Sequence, residues 1–259
     1  MTAATITIWE KQLKKSLIHG EEVFGMLLQP ILWVVLFGVG MRSLMGMGGS
    51  DMGDGYMTFV LPGIIALTAV SAAIAGGSTW LNERLLGVVK EYLVAPIPRL
   101  SILMGHALYI VTQVALQSLV ILLVGLLMGA RLHSNPLGWL AGFCFIAAYG
   151  LGFSGIALAV ASKTDSSGGY HMLIFLLQLP LLFWSNALYP LDLLPTWMRV
   201  GALFNPTTYA VSGLRQVTMA SVSMGGSEPL SLWLCVAVLL VFAVLGMGLA
   251  LRSFRSAVS

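Results

Sequence analysis

Apolar and charged positions fall along this chain in blocks. Between Lys15 and Arg252 the ionisable residues gather in short clusters, separated by apolar runs of about 20 residues or more. The gaps run from Glu22 to Arg42, Asp54 to Glu83, Arg99 to Arg131, Arg131 to Lys163, Asp165 to Asp192 and Glu228 to Arg252. A helix rising about 1.5 Å per residue needs roughly 20 apolar residues to cross about 30 Å of hydrocarbon. The pattern therefore predicts an all-α integral membrane fold with six transmembrane helices, near residues 23–44, 56–80, 101–130, 137–162, 171–188 and 230–251. Residues 1–259 then form a single transmembrane domain, with no room for a soluble one of ordinary size.

Composition agrees: 58% of residues are hydrophobic and 9% charged, where a soluble domain carries about 25% charged. The basic stretch Lys11, Lys14, Lys15 runs into Glu21, Glu22 and a full-length span, which is not the form of a cleavable signal. The net charge of +3 is too small to argue for a nucleic-acid partner, so the basic residues report orientation instead. With a cytoplasmic N-terminus, the inner segments hold nine of the 13 basic residues: Lys11, Lys14, Lys15, Arg84, Lys90, Arg99, Lys163, Arg252 and Arg255. Only Arg42, Arg131, Arg199 and Arg215 fall outside. Both termini are expected in the cytoplasm.

Three segments stand outside the spans. In residues 1–22, Ile6, Trp9, Leu13 and Leu17 recur at helical spacing with Glu10, Lys11, Lys14 and Lys15 turned away, the pattern of a helix lying in the membrane interface against lipid. Residues 82–97 read as a cytoplasmic amphipathic helix. Leu85, Val88, Val89 and Tyr92 share one face; Glu83, Gly87, Lys90 and Glu91 share the other, and Pro96 and Pro98 end it. Such a surface suits docking of a soluble partner. Residues 189–227 are long and apolar for a loop, broken at Pro190, Pro195 and Asn205-Pro206. The pieces at 196–204 and 207–222 are too short or too polar to span and read as re-entrant helices, a lid on the outer half of a pathway. Their candidate gate residues are Trp197, Arg199, Phe204, Pro206, Tyr209 and Arg215, with the two arginines expected at the outer interface. The loop 46–55 reads as mobile and 131–136 as a tight outer turn.

Glycines four or three apart, such as Gly125 and Gly129 or Gly152 and Gly155, read as close helix contacts within one subunit. Cys144 and Cys235, inside apolar runs, read as small packing residues. Gly152-Phe153-Ser154-Gly155 matches the motif of rhomboid-type intramembrane proteases, but residues 230–251 contain no histidine to act as base, and His171 lies at the other end of its span. No acid lies mid-span, as an ion-coupled carrier would need, and His106 is expected at the interface. Lys163-Thr164 follows Ser162, not the glycine of a phosphate-binding loop, so ATP would have to be hydrolysed by another subunit.

Residues 83–106, ERLLGVVKEYLVAPIPRLSILMGH, resemble the permease subunits of type-2 ABC exporters, the daunorubicin-resistance and nodulation group. The matching positions are Glu83-Arg84, Gly87, Lys90-Glu91, Leu93, Pro96, Arg99 and Gly105; His106 stands where a basic residue is usual and Pro98 where serine is commoner. Tyr189-Pro190, Pro195, Trp197, Asn205-Pro206, Tyr209 and Arg215 resemble the family's outer re-entrant segment, and residues 56–63 its second span. The resemblance implies an inner (plasma) membrane homodimer and two copies of a separate cytoplasmic ATPase carrying ATP and Mg. It also implies a coupling helix at 82–97, with Glu83, Arg84, Gly87, Lys90, Glu91, Pro96 and Arg99 as coupling residues. The expected activity is export of a hydrophobic or amphipathic compound, with a polysaccharide or glycolipid as the alternative cargo.

Overall fold

The computed structural model describes residues 2–18, 20–46, 52–94, 98–130, 135–218 and 230–258, and every regular element among them is helical. In chain order these are α1 (Thr2–Ile18), α2 (Gly20–Gly46), α3 (Met52–Leu85), α4 (Val88–Val94), α5 (Arg99–Leu127), α6 (Pro136–Lys163) and α7 (Ser167–Phe183). A 3-10 turn (Leu191–Leu193), α8 (Thr196–Phe204), α9 (Pro206–Thr218) and α10 (Leu232–Val258) complete the chain. Four stretches are long and apolar enough to cross a membrane: Tyr56–Leu85, Leu100–Leu127, Pro136–Lys163 and Leu232–Phe254. Two shorter apolar helical stretches, Phe24–Phe37 within α2 and all of α7, fall where the other two spans are expected. Residues 47–51 of the 46–55 loop, 131–134 of the 131–136 turn, and 219–227 lie outside the described residues, and α3 already begins at Met52.

α3 is the axis of the bundle. Its apolar window is 78% buried, and it packs against α2, α5, α6, α7 and α9. An all-apolar helix buried on every side is what a sequence without a polar stripe specifies. α10 lies at the rim and rests chiefly on α6. That crossing explains the Gly-x-Ser-Gly motif. A Cβ on Gly155 would fall 2.2 Å from the Gly246 carbonyl carbon, and one on Gly246 would fall 2.3 Å from the Gly152 oxygen, so the two backbones meet directly. The Ser154 hydroxyl donates back to Leu151 O at 2.8 Å within its own helix. Cys235 is buried in the packing as expected, whereas Cys144 is exposed on α6.

Two boundaries differ from the sequence expectation. α1 ends at Ile18, and the buried stripe is Ile8, Gln12 and Ser16, packed on α5, while Ile6 and Leu17 are exposed. Trp9 and Leu13, given to lipid by periodicity, are partly buried and pack on the core, Trp9 Nε1 donating to Thr112 Oγ1 of α5 at 3.0 Å. α7 stops at Phe183, five residues before the expected end of the fifth span. Pro180 lies in its last turn, and the chain leaves the helix through Ser185-Asn186-Ala187, all three buried. The carbonyls freed at that end are capped from elsewhere: Asn205 Nδ2 donates to Leu181 O at 3.0 Å and to Trp184 O at 2.6 Å.

Candidate functional site

At one end of the bundle, α3 runs past the point where a docking helix was expected to begin. Leu86 N donates to Asn82 O at 2.9 Å and Gly87 N to Arg84 O at 3.1 Å, closing the helix, and Gly87 turns the chain at φ +80°, a conformation that favours glycine. α4 is then only seven residues long. The expectation of one amphipathic helix over 82–97 is therefore corrected: the first residues belong to the buried core helix α3. Their faces change with it. Glu83, expected to face the cytosol, is buried, while Leu85 and Leu86 are exposed, Leu86 at 80%.

Glu83 is the centre of a polar cluster that joins four helices. Gln12 Nε2 of α1 donates to its Oε1 at 2.8 Å, and Lys11 Nζ stands 3.6 Å from the same oxygen. Its Oε2 lies 3.1 Å from His106 Nε2 of α5 and accepts from Tyr92 Oη of α4 at 3.4 Å. Lys11 also donates to Tyr92 Oη. Lys11 stays on the exposed face, as its spacing predicts, and reaches across to this cluster with its amine. Partial burial alone would lower its pKa, but the Tyr92 hydrogen bond and the Glu83 charge outweigh that and hold it above the ordinary 10.5. Burial raises the Tyr92 phenol above its usual range. His106 is buried among protein side chains. Its Nδ1 sits 3.0 Å from Ile102 O and donates to it, since a carbonyl only accepts. Nε2 can then accept from Gln12 as a neutral ring, at 3.1 Å, or donate to Glu83 as an imidazolium. Trp80 covers the ring edge-on at a centroid distance of 4.9 Å.

The neighbouring Arg84 points the other way round α3. Its guanidinium donates to Ser162 O, to Thr164 O at 2.5 Å and to Asp165 Oδ1 at 2.8 Å, clamping the α6–α7 connection. Successive residues at the end of one helix therefore hold opposite sides of the bundle. Among the other coupling residues predicted from sequence, Gly87 forms the turn, and Lys90, Glu91 and Arg99 lie on α4 and at the start of α5 with side chains outside the described set. Pro96 lies outside the described residues altogether.

The expected gate residues gather at the opposite end. α8 presents Trp197, at 67% exposure, and Phe204, at 86%, on its outer side, and Trp197 meets Trp184 edge-on at 6.4 Å. Arg199 pairs with Asp192 at 3.7 Å on the surface. Pro206 opens α9, where Asn205 Oδ1 accepts from Thr207 N at 2.9 Å, and Tyr209 Oη donates to Leu203 O at 2.7 Å. Asn205 thus caps the start of α9 and the end of α7 together. Arg215 is more enclosed than Arg199: its guanidinium lies 3.8 Å over the Phe59 ring and donates to Phe59 O at 2.9 Å and Asn186 O at 3.2 Å. Among the described residues it has no carboxylate partner. Backbone carbonyls and an aromatic face take that place.

A model of the ABC-2 type transporter family matches residues 3–219, most of the chain and both of these ends. The chain belongs to the ABC-2 type transporter family. Among its relatives is a putative transport permease, ycf38, of Cyanophora paradoxa, 31% identical over 190 residues; the match covers 73% of this chain and 65% of that protein, slightly under two thirds of the relative's length. The probable doxorubicin resistance ABC transporter permease protein DrrC of Mycobacterium tuberculosis is 24% identical over 215 residues, covering 82% of this chain and 75% of DrrC. Nodulation protein J of Rhizobium leguminosarum bv. trifolii is 24% identical over 222 residues, covering 82% and 77%.

In this ABC-2 family chain, Glu83, expected on a charged outer face, thus belongs to a buried hub. Sequence reasoning missed Gln12 and Asp165 as its partners. Gln12 carried a usable signal: it sits four residues after Ile8 and four before Ser16, a single polar-tolerant stripe on an otherwise amphipathic helix.

Proposed function

We propose that this chain is the transmembrane subunit of an ATP-driven ABC exporter. It works as a homodimer with two copies of a separate cytoplasmic ATPase that binds ATP and Mg. The chain would cross the inner membrane six times with both termini in the cytoplasm, α2 and α7 serving as the first and fifth spans. Its cargo is a hydrophobic or amphipathic compound taken from the cytoplasm or the inner leaflet.

The observation that carries this reading is the Glu83 cluster. The α3–α4 corner exposes Leu85, Leu86 and Val94 for a partner to grip, and the residues behind it bind that corner to α1 and α5 through Glu83 and to α6–α7 through Arg84. A soluble partner closing on ATP would bias two arrangements of a rigid assembly rather than bend one loop. The nine-to-four basic asymmetry supports the orientation. The exposed aromatic face of α8 supports an exit lid, and its Trp197 and Trp184 give the glycolipid alternative a stacking surface.

The test is co-reconstitution with the cognate ATPase in proteoliposomes. The expected result is ATP-dependent movement of a fluorescent amphiphile, lost when the ATPase catalytic glutamate is replaced. Movement driven by a proton gradient alone would overturn the proposal.

A further inference from the structure

A cavity of about 250 Å³ opens between α2, α3, α5 and α7 at the depth of the apolar runs, remote from both ends described above. Among the described residues that line it, none is ionisable. It is nonetheless polar in one respect: Gln29, Gln117 and Gln178 bring three amides to it, beside Thr68 and Ser71. Most of these groups are already paired. Thr68 Oγ1 donates to Ile65 O at 2.8 Å, Ser71 Oγ to Leu67 O at 3.2 Å, and Gln178 Nε2 to Ser71 Oγ at 3.4 Å. Gln29 is exposed, and Gln117 is buried without such a partner. Its residue is 3% exposed, and its side-chain oxygen is buried with no hydrogen-bond partner. An unsatisfied buried acceptor is costly, and native structures keep one where something else completes it. Trp33 lines the same cavity with one ring face stacked on Phe37 at 5.3 Å, 17° from parallel.

We infer that this cavity binds the hydroxyl-bearing head of a neutral amphiphile, such as a single-sugar glycoside, with Gln117 accepting a hydroxyl proton and Trp33 stacking on the ring. A cationic or anionic head would lose its hydration with no counter-charge to replace it. A volume just below the usual range of ligand pockets, about 300–1,000 Å³, fits one head and not a sugar chain. The inference deepens the exporter reading and rests on it for the transport step after binding.

The test uses the permease–ATPase complex in nanodiscs and a diazirine-bearing octyl β-glucoside, with photolabelled peptides mapped by mass spectrometry. Labels should fall on the α2, α3 and α5 segments that line the cavity. Octyl β-glucoside should compete, and octyltrimethylammonium and octyl phosphate should not. Gln117→Leu should weaken labelling about fivefold, the equivalent of one neutral hydrogen bond, while leaving the thermal unfolding midpoint unchanged or higher. Trp33→Leu, at a half-exposed position, should weaken it independently. Labelling unchanged by either variant, equal competition by the charged amphiphiles, or labels confined to the lipid-facing surface would overturn the site. So would a Gln117→Leu variant that loses binding together with its fold while Trp33→Leu binds normally. Saturable, Gln117-dependent labelling in a complex that moves no amphiphile with ATP keeps the site and removes the exporter reading. Transport of another cargo without such labelling does the reverse.

Discussion

Replacing Glu83 probes the hub most sharply. The carboxylate and His106 are both nearly inaccessible, with side-chain exposures of 4% and 1%, and Gln12 is buried as well. Removing one member of such a buried pair leaves the others desolvated, which costs about 3–5 kcal/mol. Lys11 is different: its side chain is 45% exposed and 3.6 Å away, so water recovers it and the pair contributes about 0.5 kcal/mol or less. Glu83→Ala should therefore destabilise by about 3–4 kcal/mol. Glu83→Gln keeps one acceptor for Gln12 and should cost about 1–2 kcal/mol. Double-mutant cycles in mixed micelles, read by reversible unfolding, separate the partners. The Glu83–His106 coupling should reach about 1.5–3 kcal/mol and the Glu83–Lys11 coupling stay below about 0.5 kcal/mol. With the cognate ATPase, Glu83→Gln should still associate but transport less cargo per ATP hydrolysed. A Glu83→Ala protein that unfolds like wild type, or a Lys11 coupling as large as that of His106, would refute the reasoning.

Arg84→Lys should not restore what Arg84→Ala loses, because an ammonium cannot reach Ser162 O, Thr164 O and Asp165 together; limited proteolysis between α6 and α7 should accelerate equally in both variants, and protection by lysine would count against the clamp. Gly246→Ala should destabilise by about 3 kcal/mol or more, since its Cβ would meet the Gly152 carbonyl at 2.3 Å; a normal unfolding midpoint would contradict the close crossing. Trp197→Ala and Phe204→Ala, at exposed positions, should change stability by about 0.5 kcal/mol or less yet alter transport or cargo-stimulated ATPase activity; wild-type transport in both would deny α8 a gating role.

The long apolar gaps make the helical architecture legible in the sequence, because a desolvated backbone leaves the helix almost no competitor. Residues 196–204 are legible too, since Pro195 and Asn205-Pro206 bracket them and α8 has those bounds. Residues 82–97 are not. A period of 3.6 orders residues around an axis but does not say where the axis ends, and the break at Gly87 rotates Glu83 from an expected outer face into the core. The surroundings of Arg215 are hidden for a related reason: its partners are two backbone carbonyls and an aromatic ring, which leave no charge complementarity to find in a sequence. The search for acids within the spans also passes over Gln29, Gln117 and Gln178, whose polarity carries no charge to mark it.

Crosslinking tests most directly whether the α3–α4 corner receives a separate ATPase. Leu86 is 80% exposed at its tip, and Phe204 is 86% exposed at the opposite end of the bundle. In a background with Cys144 and Cys235 replaced, Leu86→Cys should crosslink to the cognate ABC ATPase in membranes, more strongly with ATP than without, and Phe204→Cys should give no adduct. Adducts from Phe204→Cys, or none from Leu86→Cys in any nucleotide state, would contradict the account.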